Sequence, residues 1–321
     1  MKVWQLNSGP LGGSRIDMML RYQVALVGPG ETGAWSLEAA RNLRFPTHVQ
    51  RFAREAAQGD AILLRVGKSR VRAAGLVVGD YEYLPQFEDV DGFDVAHARR
   101  VRWYAFATDQ EAQHGVPGGA SVAFSDTRGK ALIDLAKSAL GADVRLWQPA
   151  SLPPLPADEP TVEHPEDPVR LVAAEAQDLW LLYATRSDFG EPPAEGELVA
   201  HLVVPLLRAL GWRPEQMAIE WRRVDVALFP ALPRTPNNLH VLIEVKRIRG
   251  IDESALKQAR RYLRELGVER DVVVTDGFTY RRYAAAQDYA PTGYANLVRL
   301  KEHGVRLLDE LSPSSSRTGG R

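Results

Sequence analysis

The chain has 321 residues, 45% of them hydrophobic and 25% charged, a formal net charge of −1 and no cysteine. This length and composition fit about two ordinary globular domains, and the missing cysteines exclude disulfides and thiolate zinc sites. With no run of about 18 apolar residues and no apolar signal core behind MKVWQLNSGP, a cytoplasmic protein without a membrane span is expected. In chain order, Met1 to Leu6 reads as a short strand and Arg21 to Val27 as a second, ended by Gly28-Pro29-Gly30. Leu37 to Leu43 and Thr47 to Ala57 look helical. AILLRV from Ala61, VRAAGLVVGDYEY from Val71, and Ala98 to Phe106 read as further strands. Short strands with glycine-rich turns predict a small β-barrel or sandwich.

Two nucleotide-binding patterns in this region fail on inspection. Gly28 to Gly33 fits GxGxxG, but the chain about 20 positions on reads as helix, where a dinucleotide fold needs a second strand ending in an acid. Gly67-Lys68-Ser69 resembles the end of a P-loop, yet Ile62 stands where its first glycine belongs. Asp126 to Leu140 is predicted as a helix, apolar at Leu132, Leu135, Ala136 and Leu140.

Seven prolines follow between Pro149 and Pro168, a stiff, extended stretch suited to a domain boundary. The acidity concentrates there: residues 148–195 carry net −8, whereas 1–147 carry +2 and 196–283 carry +4. Phosphate binding needs local positive charge rather than a basic whole, so a nucleic-acid partner is compatible with the near-neutral total. Val169 to Thr185 reads as a helix.

The second domain opens on GELVAHLVVPLLRALGW, a predicted helix stopped by Gly211. Glu197 lies at its start, where a carboxylate also suits the helix dipole, and His201 follows one turn later on the same face. VDVALF and LHVLIEVKRIR then read as strands, with a helix carrying QARRY after them. Side chains two apart in a strand share a face, so Glu244 and Lys246 point the same way. A carboxylate beside an ammonium in an apolar strand is costly without partners or a job. With Asp225 on the neighbouring strand they suit a hard divalent ion such as Mg2+, with Mn2+ able to substitute, and the backbone carbonyl of Val245 as a further ligand. Lys246 could position or deprotonate a bound water. Asp271 to Thr275 is a last buried strand, Asp276-Gly277 a turn, and Tyr280 to Tyr283 the returning strand.

Glu197, Asp225, Glu244-x-Lys246 and Gln258-x-x-x-Tyr262, with LGW at Leu210 to Trp212 and VTDG at Val274 to Gly277, resemble the PD-(D/E)xK nuclease superfamily. They are most similar to the nuclease domain of type I restriction motor subunits, although no helicase motor follows. The resemblance implies Mg2+-dependent phosphodiester hydrolysis, with Asp225 and Glu244 on the metal, Lys246 on the water, and Glu197, Gln258 and Tyr262 in support. Arg247, Arg249 and Arg261 are candidate phosphate contacts, with Lys257 and Arg260 nearby. GDAILLRV, GLVVGDYEY and RRVRW are similar to the EVE branch of PUA-like domains, over roughly residues 1–106. That second resemblance implies nucleic-acid binding, with a single, modified base held in an aromatic pocket. Trp35, Asn7 and Trp103 are the candidate base contacts, beside Trp4 and Tyr22, although tryptophans in a small barrel are usually core.

The expected layout is α+β with two domains. Residues 1–147 form a PUA-like (EVE-like) β-barrel with helices, 148–168 an acidic proline-rich linker, 169–310 an α/β restriction-endonuclease-like core with a central mixed sheet, and 311–321 a disordered tail. The expected function is a modification-dependent DNA endonuclease, for which double-strand cleavage needs two chains, as in a homodimer, or two sequential nicks. A nuclease on RNA or single-stranded DNA, or a non-catalytic nucleic-acid-binding protein that keeps the nuclease fold, are the alternatives.

Overall fold

The computed structural model describes residues 1–8, 13–30, 33–42, 45–67, 69–88, 90, 94–111, 124–127, 129–141, 152–162, 168–184, 193–248 and 253–313. The chain is α+β, with two mixed six-stranded sheets. It divides into two units, Met1–Asp158 and Glu159–Arg321. The division falls inside the proline-rich stretch. Arg100 donates to the Pro153 carbonyl at 2.6 Å in the first unit. In the second, Val162 N–H donates to Leu300 O at 3.0 Å and Thr161 bridges Lys301. Both described halves of the stretch are therefore packed segments rather than free tether.

The first unit runs β1 (Val3–Asn7), α1 (Gly13–Tyr22), β2 (Val24–Val27), α2 (Ala39–Asn42), α3 (Thr47–Arg54), β3 (Ala61–Val66), β4 (Arg70–Tyr83), β5 (His97–Glu111), β6 (Phe124–Asp126) and α4 (Lys130–Leu140). The strand order is β2-β5-β4-β3-β1-β6, with β1 and β3 parallel. Register shifts between β4 and β5, at Val71/Ala73 and Val77/Tyr81, add the local twist that curls the sheet. Among the described residues the edge strands β2 and β6 do not pair, so the sheet is curled but open.

Two elements differ from the sequence expectation. Residues 21–23 are not strand: α1 runs to Tyr22 because Ile16 and Met19, three apart, bury one helical face. Gln23 ends it in the left-handed region at φ 50°. The helix expected from Asp126 starts only at Lys130, because Phe124–Asp126 pair with β1 instead.

Two glycine sites show close approach. A Cβ on Gly28 or Gly30 would collide with Asp94, so the apparent GxGxxG motif is a packing feature. Gly75 faces Trp103 across β4 and β5, and a Cβ there would collide with the indole ring and with Val101. Gly75→Ala is expected to destabilise the protein by about 1–3 kcal/mol through overpacking, read as a lower denaturation midpoint; an unchanged midpoint would contradict this packing.

The second unit runs α5 (Pro168–Ala184), α6 (Glu195–Leu198), a π-helical turn (Val199–Val203), α7 (Val204–Ala209), β7 (Met217–Trp221), β8 (Val224–Leu228), β9 (Val241–Val245), α8 (Glu253–Leu266), β10 (Asp271–Thr275), β11 (Thr279–Ala284), β12 (Ala290–Asn296) and α9 (Glu302–Glu310). The single helix expected here runs continuously from Glu195 to Ala209 but contains a π turn just before Pro205, which has no N–H for the ladder. The strand order is β12-β11-β10-β9-β8-β7. Only β9 and β10 are parallel, and α8 makes the crossover between them.

The strand alternation sorts this sheet's two faces. Leu242, Val272 and Val274 pack with Ala255, Ala259 and Leu263 of α8. Ile243, Val245 and Val273 pack with Leu202, Leu206 and Leu307 on the other side. Leu311, expected in the tail, is buried in that second core and accepts the Trp212 indole N–H at 2.7 Å. Residues 314–321 lie outside the described residues. No helix is long and apolar enough to cross a membrane among the described residues.

Candidate active site

β8 and β9 are antiparallel, with Ala227 opposite Leu242 and Val226 opposite Ile243. One step beyond the last pair, Asp225 and Glu244 come opposite each other. They alternate in phase with Ala227 and Leu242, so both belong to the α8 face. Asp225 Oδ2 accepts the Val245 N–H at 2.7 Å. Lys246 follows β9 and donates its backbone N–H to Thr275 O at 2.8 Å. Its Nζ donates to Glu244 Oε1 at 2.6 Å. The three predicted side chains therefore converge.

Glu244 is fully buried. Its Oε2 has no hydrogen-bond partner among the described residues. Burial pushes its carboxyl up to about 7; the bond from Lys246 opposes this, while Asp225 and Glu195 add to it. Burial also raises Asp225, against the Val245 N–H and the Lys246 charge, with Glu195 and Glu220 adding. Burial by itself would lower Lys246, but the Glu244 hydrogen bond and the charges of Glu244, Glu195 and Asp225 outweigh it and leave the amine raised. Lys246 is thus an ammonium at neutral pH.

The helix acid differs from expectation. Glu197 is exposed and its Oε2 accepts the Ala194 N–H at 2.7 Å, capping its own helix. Glu195, partly buried at the same helix start, is the acid whose charge acts on Asp225, Glu244 and Lys246. Glu220, on β7, also acts on Asp225. Sequence reading missed both. Glu195 lies two positions before the motif residue, and Glu220 sits on an edge strand whose alternation is masked by its exposed end.

On α8, Gln258 Nε2 donates to Tyr262 Oη at 3.0 Å, as one-turn spacing requires. Tyr262 is packed in the core under that helix. Arg247 is exposed. Arg261 is exposed too; its guanidinium lies over the Tyr262 ring at 5.3 Å and 3.9 Å from Glu265. Arg249 lies outside the described residues.

In the first unit, Trp103 is core: it is 7% exposed and gives its indole N–H to Val24 O. Trp4 is buried and bonded to Asp60. Asn7 is partly exposed at the end of β1. Trp35 is partly exposed; its backbone N–H donates to Tyr81 Oη at 2.8 Å. Tyr81 Oη also meets His97 Nδ1 at 2.8 Å, the two rings stack, and His97 Nε2 meets Pro29 O at 2.9 Å. An Nε2–H donated to Pro29 leaves Nδ1 to accept the Tyr81 hydroxyl. Trp35 is thereby fixed to an aromatic cluster, and its buried indole N–H has no partner among the described residues.

Among the described residues no group of three or more His, Cys, Asp or Glu side chains is placed to hold a metal ion. Asp225 and Glu244 are a pair, so a cation held by them would complete its shell with backbone oxygen and water, as Mg2+ does. The unpartnered, buried Glu244 Oε2 fits that use. In comparisons with known proteins, a family model described as a domain of unknown function (DUF8426) matches residues 37–118. No curated protein matches the chain.

Proposed function

We propose that the protein is a Mg2+-dependent DNA endonuclease of the PD-(D/E)xK type, with a PUA-like N-terminal domain that reads the DNA, including modified bases. The observation that carries this reading is the buried Glu244 opposite half-buried Asp225, with Lys246 Nζ 2.6 Å from Glu244 Oε1 and Glu244 Oε2 unpartnered among the described residues. A buried carboxylate with an unused oxygen costs stability, and a bound cation would offset that cost. Asp225, Glu244 and the Val245 carbonyl would hold the ion, which when bound supplies Lewis-acid activation of a water and of the phosphate oxygens. Lys246, charged and tethered to Glu244, would stabilise the negative charge that develops on the phosphate. Glu195 would support the site in place of Glu197, and Gln258 with Tyr262 would border it.

Incubation of plasmid with protein and Mg2+ or Mn2+, against an EDTA control, is expected to give metal-dependent nicking or linearisation. Intact plasmid under all conditions would overturn the enzyme reading. Matched plasmids with unmodified, methylated or hydroxymethylated cytosine test the base preference, and equal cutting of all would remove that part alone. A second reading is a nucleic-acid-binding protein on a nuclease scaffold, since among the described residues no third acidic side chain joins Asp225 and Glu244 in a metal-holding group. It predicts binding without cleavage.

A further inference from the structure

β7 and β8 form a hairpin in which Trp221 pairs Val224, leaving Arg222 and Arg223 as a two-residue loop. Both have positive φ, 50° and 74°. Two consecutive left-handed residues make a type I′ turn, whose preferred sequence is Asn-Gly because side chains with a full Cβ are strained there. Glu220, immediately before Trp221, is left-handed as well, at φ 51°. Three of the four residues from Glu220 to Arg223 are therefore in an unfavourable conformation, just ahead of Asp225 in sequence.

The two arginines are exposed. Among the described residues neither forms an ion pair, and neither is among the charges that act on Asp225. Arg222 lies over the Trp221 indole at 5.0 Å, and Trp221 is itself fixed edge-on against Phe229 with centroids 5.0 Å apart. Stacking orders a guanidinium without neutralising it. The hairpin thus holds two unneutralised cations, one of them ordered by stacking, next to a strand that carries an acid of the site. Residues kept in strained backbone conformations cluster at functional positions.

We propose that the Arg222–Arg223 hairpin is a phosphate clamp that seats the backbone of duplex DNA beside the Asp225–Glu244–Lys246 site. This rests on the nuclease reading above. The turn keeps arginines in place of a better turn sequence because both guanidiniums neutralise phosphates on either side of the scissile bond.

The test replaces the pair by Asn-Gly (R222N/R223G) and, separately, by Lys-Lys (R222K/R223K). Thermal melting and the salt dependence of binding to a short labelled DNA duplex are measured, the latter in EDTA so that no cutting intervenes. The Asn-Gly variant is expected to melt about 2–8 °C higher through relief of turn strain. Its log Kd against log salt slope should be shallower by about 2, one for each lost phosphate contact. Lys-Lys should keep the wild-type slope. An unchanged slope in the Asn-Gly variant of a wild type that cuts plasmid overturns the clamp and leaves the nuclease reading standing. A shallower slope in the Asn-Gly variant of a wild type that binds but does not cut would leave a phosphate contact at this hairpin and overturn both the nuclease reading and the clamp's place beside a scissile bond. A wild type that neither binds nor cuts overturns both.

Discussion

Lys246→Ala is expected to slow phosphodiester cleavage by about 100- to 1000-fold, the loss typical of removing one preorganised group aimed at developing charge. The fold should survive. The side chain sits at the end of β9 with 17% of it exposed, and its backbone hydrogen bond to Thr275 remains. Glu244 would lose its cation, but its carboxyl already lies near neutrality at about 7, so it can take up a proton rather than stay buried as an unpaired anion. Single-turnover cleavage and a thermal melt on the same preparation separate the two effects. A Lys246→Ala protein that cuts at the wild-type rate would remove Lys246 from the chemistry and, with it, the main support for the proposed mechanism.

The second large effect concerns stability. The Glu244 carboxyl is raised from an ordinary 4.5 to about 7 in the folded state. Between those values the folded chain holds a proton that the unfolded chain has released. Stability contributed at this position is therefore greatest below pH 4.5 and declines as pH rises toward 7, by up to about 3 kcal/mol. Glu244→Gln removes the ionisation while its amide oxygen can still accept from Lys246. In EDTA the Gln variant should be more stable than wild type at pH 8, with the gap shrinking toward pH 5, and it should lose cleavage. Urea unfolding at the two pH values measures this. A wild type whose stability is flat across the range, or a Gln variant that is less stable at pH 8, would mean that Glu244 is not the strained acid described here. Added Mg2+ should narrow the gap by binding the folded wild type.

These two effects share one origin, a fully buried Glu244 carboxyl held beside half-buried Asp225 and Lys246. The Arg222–Arg223 turn, with both residues at positive φ, is a second place where this unit holds side chains at a conformational cost.

Local sequence signals located most of the elements. β3, β4 and β5 are visible as apolar runs between glycine turns, and β8, β9 and β10 as apolar runs broken only by Asp225 and Glu244. α1 and β7 were hidden, the first because its apolar residues merge into the strand that follows, the second because Ile219 and Glu220 are both exposed and blur its alternation. The π turn before α7 could not be read at all: Pro205 announces a broken ladder but not how the break is accommodated.

For the site, sequence alone determined that Glu244 and Lys246 lie on one face, because strand alternation is a property of the backbone and needs no partner. It likewise determined that Gln258 and Tyr262 meet, since helical pitch brings residues four apart together. Only the tertiary structure decided that Asp225 reaches Val245, 20 positions away, that Glu197 caps its own helix, and that Trp103 is core. Those outcomes depend on strand register, on which carboxylate a helix uses for its own cap, and on which ring a glycine makes room for. Each is a choice among competing partners distant in sequence, and no local periodicity encodes it.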